Sequence, residues 1–311
     1  AKMEWGEKMR RNFAQILKDA KIDIKAEYQK LYGMLYDRTI QVSNSNRISA
    51  YDELSERFIG FYFRGTCLSI DEFNDLHEFH FERDPAGFSI DNLISLCEYI
   101  YNMLMGYQST QFSFGYNGPA FINVQFYLNQ IGQVIEKIGY MQTAEDNFTI
   151  FVEKSPAAIA VAESPLIPEN LSYRLISYNH YAMKGNLDVK KSILQQLASI
   201  LEAKRKELNQ ADKTLEADLF YAFNNLNIRH NNVDSELKGK YKAYVAQMSN
   251  DELEKWYDET YQMCLLAFLQ IENLDRKAAF DRLKAEIVNS NNQNRTGQGV
   301  WILKDQDMIY T

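Results

Sequence analysis

A chain of 311 residues with 46% hydrophobic and 24% charged residues can bury a sizeable core, and this composition excludes a disordered or collagen-like polymer. The 42 acidic residues outnumber the 34 basic ones and leave a formal net charge of -8, which excludes a broad nucleic-acid-coating surface while leaving room for a small basic pocket. Three scattered cysteines (Cys67, Cys97, Cys264), no run of 18 apolar residues and a polar start predict a reduced, cytoplasmic setting with no membrane span.

Most of the chain carries the period of an amphipathic helix. Phe13, Ile16, Leu17, Ala20 and Ile24 recur at three- and four-residue steps, and Leu31 and Leu35 extend the stripe. A polar loop is expected at 43–46, followed by a second stripe through Tyr51, Leu54, Phe58, Ile59 and Tyr62. Residues 71–81 read as a short acidic helix closed by Asp84-Pro85. Ser89 is placed to cap a helix through Ile90, Leu93, Ile94, Cys97, Ile100 and Leu104. A loop at 115–119 precedes another helix from Phe121 to Ile138.

The pattern then changes. Residues 148–152 are β-branched and aromatic, and 158–162 follow a Ser-Pro break, so the two segments read as the strands of a hairpin. Beyond Pro165 and Pro168 a helix is expected over 171–183, ending at Lys184-Gly185. Asp188 can cap a long helix carrying Ile193, Leu194, Leu197, Leu201 and Leu208. Leu215, Leu219, Phe223 and Leu226 mark the next helix, and a final one is predicted from about 250 to 287. Residues 289–294 look like a linker, with 299–303 able to dock as a strand. The fold class predicted is mainly α: a two-part helical bundle with a small β-hairpin between the halves. The boundaries are 1–145 (N-terminal helical domain), 146–167 (hairpin and linker), 168–289 (C-terminal bundle) and 290–311 (tail).

The densest polar cluster is 224–232, where six of nine residues are Asn or His and Arg229 stands beside His230. Asparagine is a poor helix-interior residue, so the run needs a cause. One cause is a helix C-terminus, where Asn tolerates left-handed backbone and cations complement the dipole. The other is a phosphate or RNA site, with a guanidinium fork for phosphate oxygens and an imidazole to move a proton. The site residues predicted are Arg229 and His230 as the chemical pair, with Asn225, Asn227, Asn231, Asn232 and His180 as binding residues. Lys190-Lys191 and Lys204-Arg205-Lys206 are basic patches, read either as solvated faces or as a track for an RNA backbone. His77 and His80 could share a metal if both lay on one helix face, but no third ligand follows at motif spacing, so neither metal nor cofactor is expected. Signatures of nucleotide-binding loops, nucleophile elbows and zinc proteases are absent from the sequence.

Residues 194–232, with Leu201-Glu202-Ala203-Lys204-Arg205 and Asn225-Leu226-Asn227-Ile228-Arg229-His230, resemble the HEPN-type helical domain of prokaryotic abortive-infection and related defence proteins. Phe58, Phe73, His77 and Phe79, then Leu93, Glu98, Tyr101 and Asn102, resemble the helical leader of such proteins, and the similarity spans roughly 40–285. The resemblance implies a homodimer and metal-free RNA cleavage to a 2′,3′-cyclic phosphate, with Arg229 on the phosphate and a histidine on the 2′-hydroxyl. It also implies a histidine downstream of the arginine, in the stretch held here by Asp234, Ser235 and Glu236. The competing reading is a non-catalytic helical scaffold or interaction protein, in which Arg229 pairs with a carboxylate such as Glu202 and Tyr257, Tyr261 and Phe268 line an interface.

Overall fold

The structure, a computed structural model, describes residues 22–43, 46–110 and 121–306, with side chains to 292. The expected stripe at 13–20, the loop at 115–119 and part of the polar loop at 43–46 lie outside the described residues. The protein is mainly α with small two-stranded antiparallel hairpins. It divides into two compact units, Ala1–Lys154 and Ser155–Thr311.

In the first unit, α1 (Ile24–Tyr36) starts where the Asp23 carboxylate accepts the amides of Lys25 and Ala26. A three-residue hairpin follows, β1 (Thr39–Gln41) against β2 (Arg47–Ser49), with Ile40 opposite Ile48. Ser49 and Asp52 form a reciprocal capping box that opens α2 (Ala50–Arg57). Next comes α3 (Ile70–Leu76), and then α4 (Ile90–Thr110), the spine of the unit. The stripe predicted on α4 is fully buried at Leu93, Ile94, Cys97, Ile100 and Leu104. It packs on α1 and on α5 (Val124–Lys137). Gly106 is required by close packing: a Cβ there would lie 2.7 Å from Phe63 Cε1 and 2.8 Å from Phe61 Cδ2.

The hairpin is one strand earlier than expected. Its strands are β3 (Tyr140–Glu145) and β4 (Phe148–Glu153), joined by Asp146 and Asn147, both at positive φ. Side chains of α4 grip β4 as a neighbouring strand would. Asn102 donates to the Thr149 carbonyl (2.8 Å) and accepts its amide (2.9 Å), and Glu98 accepts the Phe151 amide (2.7 Å). Residues 158–162 are not a strand but part of α6 (Pro156–Ala162): Ser155 accepts the Ala158 amide and Pro156 occupies the first turn.

The second unit continues with α7 (Glu169–Ser177), which stops six residues short of the predicted 183. It is followed by α8 (Leu187–Ala203), α9 (Arg205–Ala211), α10 (Lys213–Asn225), α11 (Ala243–Ala246) and α12 (Asn250–Gln306). Asn186, not Asp188, caps α8 by accepting the Val189 amide. Leu175, Ile193, Leu194, Leu197, Leu201, Leu219, Phe223 and Phe268 are sealed in one core. Tyr257 and Tyr261 belong to that core rather than to an interface, as does Phe268: Tyr261 stacks on Tyr178 at 3.9 Å and donates to the Leu175 carbonyl. The linker and docked strand expected at 289–303 are instead part of α12, which has 57 residues. Asparagine only weakens a helix, by well under ~1 kcal/mol per residue, and no proline interrupts the run.

Candidate functional site

The polar cluster forms because α10 ends there. The Leu226 amide donates to the Ala222 carbonyl, Asn227 turns into left-handed backbone at φ 57, and the Arg229 amide donates back to Phe223. Ile228 is sealed in the core, and its carbonyl accepts from Gln195 on α8 at 2.7 Å. Arg229 and His230 are thereby held beside α8.

The guanidinium of Arg229 is occupied by its own chain. Nη1 lies 2.5 Å from Glu202 Oε2, and Nη2 donates to the Ala198 carbonyl at 2.9 Å. Its Cζ rests 5.3 Å from the Phe220 ring centre and 5.5 Å from that of Phe223. The side chain keeps 24% of its exposure, Glu202 46%. Glu202 also stands 3.6 Å from Arg205, so one carboxylate serves two guanidinium groups.

His230 is held differently. Its Nδ1 lies 3.0 Å from the Lys240 ammonium. An ammonium only donates, so Nδ1 accepts and the neutral ring carries its proton on Nε2. Burial, then the Lys240 charge, then Arg229 push the imidazole below its ordinary value of 6.5. In this arrangement the nitrogen that could take a proton is already occupied.

The four asparagines divide between local structure and surface. Asn232 is fully buried. Its Oδ1 accepts the Asn227 amide (2.8 Å), and its Nδ2 donates to the carbonyls of Asn224 (3.1 Å) and Lys240 (2.7 Å). Asn227 returns the contact by accepting the Asn232 amide. Asn225 donates to the Tyr221 carbonyl one turn back. Asn231 is exposed, with Asp234 at 3.5 Å. Asn232 thus closes the Asn224 carbonyl that the helix end leaves unpaired, and Asn227 pairs the amide of the loop beyond it.

His180 is not part of this corner. It caps the short turn Tyr181–Met183, its Nδ1 accepting the Ala182 amide and its ring lying against Tyr181. That turn precedes the N-terminus of α8, whereas Arg229 docks at Ala198, roughly 16 Å further along the helix axis. One cation in each basic patch is also committed. Lys190 is buried between Glu254 and Asp258, 2.7 Å from each, and Arg205 binds Glu216 at 2.6 Å. His77 ends α3 with its ring on Phe73, and Glu78 at φ 59 breaks the helix, so His80 does not share a helical face with it. Among the described residues no three His, Cys, Asp or Glu side chains are grouped to hold a metal, and no helix is long and apolar enough to cross a membrane.

Beside Glu202 lies an open groove of about 910 Å³, lined by Glu202, Glu207 and Glu216 against Arg205 and Lys206. Burial pushes the Glu216 carboxyl up, but hydrogen bonds from Arg205 and Asn209 outweigh it and hold the group below its ordinary value. The groove therefore carries more negative than positive charge. A second cavity, about 470 Å³, lies between α10, α11 and α12 and has aromatic walls that the sequence analysis did not anticipate.

No family model, curated protein or solved structure matches this chain.

Proposed function

We propose that this chain is a non-catalytic helical interaction protein whose Asn-Arg-His corner organises its own fold. The carrying observation is the Arg229 guanidinium, held at once by Glu202, the Ala198 carbonyl and two phenylalanine rings. A phosphate would have to displace Glu202 and approach past the carboxylates of the adjoining groove. The occupied Nδ1 of His230 and the acidic stretch from Asp234 to Glu236 support the same reading. A homodimer belongs with it. Residues 275–292 of α12 are exposed throughout, and Phe280, Leu283 and Ile287 lie there at steps of three and four, a stripe a second copy could cover.

Metal-free RNA cleavage, the activity the HEPN resemblance implies, is the competing reading; what favours it is the partial exposure of Arg229 and His230 beside Lys240. Incubating the protein with single-stranded and hairpin RNA in EDTA separates the two, with sedimentation velocity on the same samples. The interaction reading expects intact RNA and a dimer. Cleavage to 2′,3′-cyclic ends that drops at least ~100-fold in Arg229→Ala would establish the nuclease instead.

A further inference from the structure

The 470 Å³ cavity in the second unit is lined by three exposed aromatic rings. One face of α10 (Asp218, Tyr221, Ala222, Asn225) and one face of α12 (Trp256, Glu259, Thr260, Met263) form two walls. Tyr244, Val245 and Met248 from the segment around α11 form the third. A volume of this size suits a small organic ligand.

Three other rings of this unit carry the chain's own cations: Arg205 on Phe220 at 4.1 Å, Arg229 on Phe220 and Phe223, Lys190 on Tyr178 at 5.2 Å. The cavity rings are bare. Tyr221, Tyr244 and Trp256 are exposed and have no ring or cation partner among the described residues. The carboxylates of Asp218 and Glu259 likewise make no hydrogen bond or ion pair among the described residues. Lys242 is the one cation in the lining, an exposed side chain set against two carboxylates.

Bare ring faces, unpaired carboxylates and an apolar floor are together complementary to a cation with an apolar body, and they repel an anionic nucleotide. We propose that this cavity binds a small organic cation, an ammonium or guanidinium carried on an apolar chain or ring. The inference goes beyond the interaction reading and does not depend on it.

Calorimetric titration of the full chain with 4-phenylbutylammonium, 4-phenylbutanol and 4-phenylbutyrate tests it. The ammonium should saturate the site and bind about tenfold or more tighter than the alcohol, with the carboxylate weakest. Asp218→Asn combined with Glu259→Gln, at exposed positions, should cut the ammonium's advantage over the alcohol severalfold, leaving the part owed to the rings, and should leave the alcohol unchanged. Tyr244→Ala should weaken both. The proposal is overturned if the ammonium shows no saturable binding, if it binds no better than the alcohol, or if its advantage survives the double substitution undiminished in a protein whose thermal melt is unaltered.

Discussion

Each unit of the molecule holds an arginine against a glutamate, and water meets the two pairs unequally. In the first, Arg57 Nε lies 2.7 Å from Glu53 Oε1, both side chains at 1% exposure, with the Tyr107 hydroxyl donating to the same carboxylate and Arg57 over the Tyr107 ring. In the second, Arg229 and Glu202 keep 24% and 46% of their exposure. The sealed pair is locked, because removing either partner strands a charge in the core. The half-open pair is weaker and screened by solvent. It clamps the loop after α10 onto α8, beside Ile228, which the core already holds. The same chemistry thus serves as a keystone in one unit and as a clasp in the other.

That contrast can be broken most forcefully at Glu53. Glu53→Ala should destabilise the first unit by about 3–5 kcal/mol, read by urea unfolding, and an effect no larger than that of Glu202→Ala would erase the distinction between the pairs. Asn232→Ala comes next. It leaves the Asn227 amide and the carbonyls of Asn224 and Lys240 without their partner, so a loss of about 1–3 kcal/mol is expected, with faster amide exchange over 226–242.

A smaller effect follows from His230. Its folded-state value is depressed, so its contribution to stability is present above the ordinary 6.5 and is lost as pH falls through the depressed value. Stability of the wild type should decline below pH 6.5 more than that of His230→Asn. In Lys240→Gln, NMR titration should place the imidazole closer to its ordinary value. An unchanged titration would show that Lys240 does not face the ring in solution.

Much of the fold was legible because burial imposes a period. The stripes on α4 and α8 needed no knowledge of the partner elements. At 155–162, where pattern and punctuation disagreed, punctuation was the better guide. Ala158-Ile159-Ala160-Val161-Ala162 alternates like a strand, yet Ser155-Pro156 is a helix start and alanine the strongest helix former. β3 escaped notice because its exposed side chains impose no alternation. Capping at the Asn cluster could be anticipated from asparagine's own backbone preferences. The partners of Arg229 and His230 could be named only as candidates, as Glu202 was, or not at all, as with Lys240. Contacts across 27 residues depend on how helices pack. The cavity was unreadable for the same reason, since its three walls are brought together by tertiary structure alone.

The clasp itself is tested most directly by a double-mutant cycle on Arg229→Ala and Glu202→Ala, unfolded in urea and assayed in parallel for RNA binding. The account predicts a favourable coupling of about 0.5–1 kcal/mol and no RNA affinity released in Glu202→Ala. Zero coupling, together with RNA binding that appears when Glu202 is removed and vanishes when Arg229 is removed as well, would contradict it.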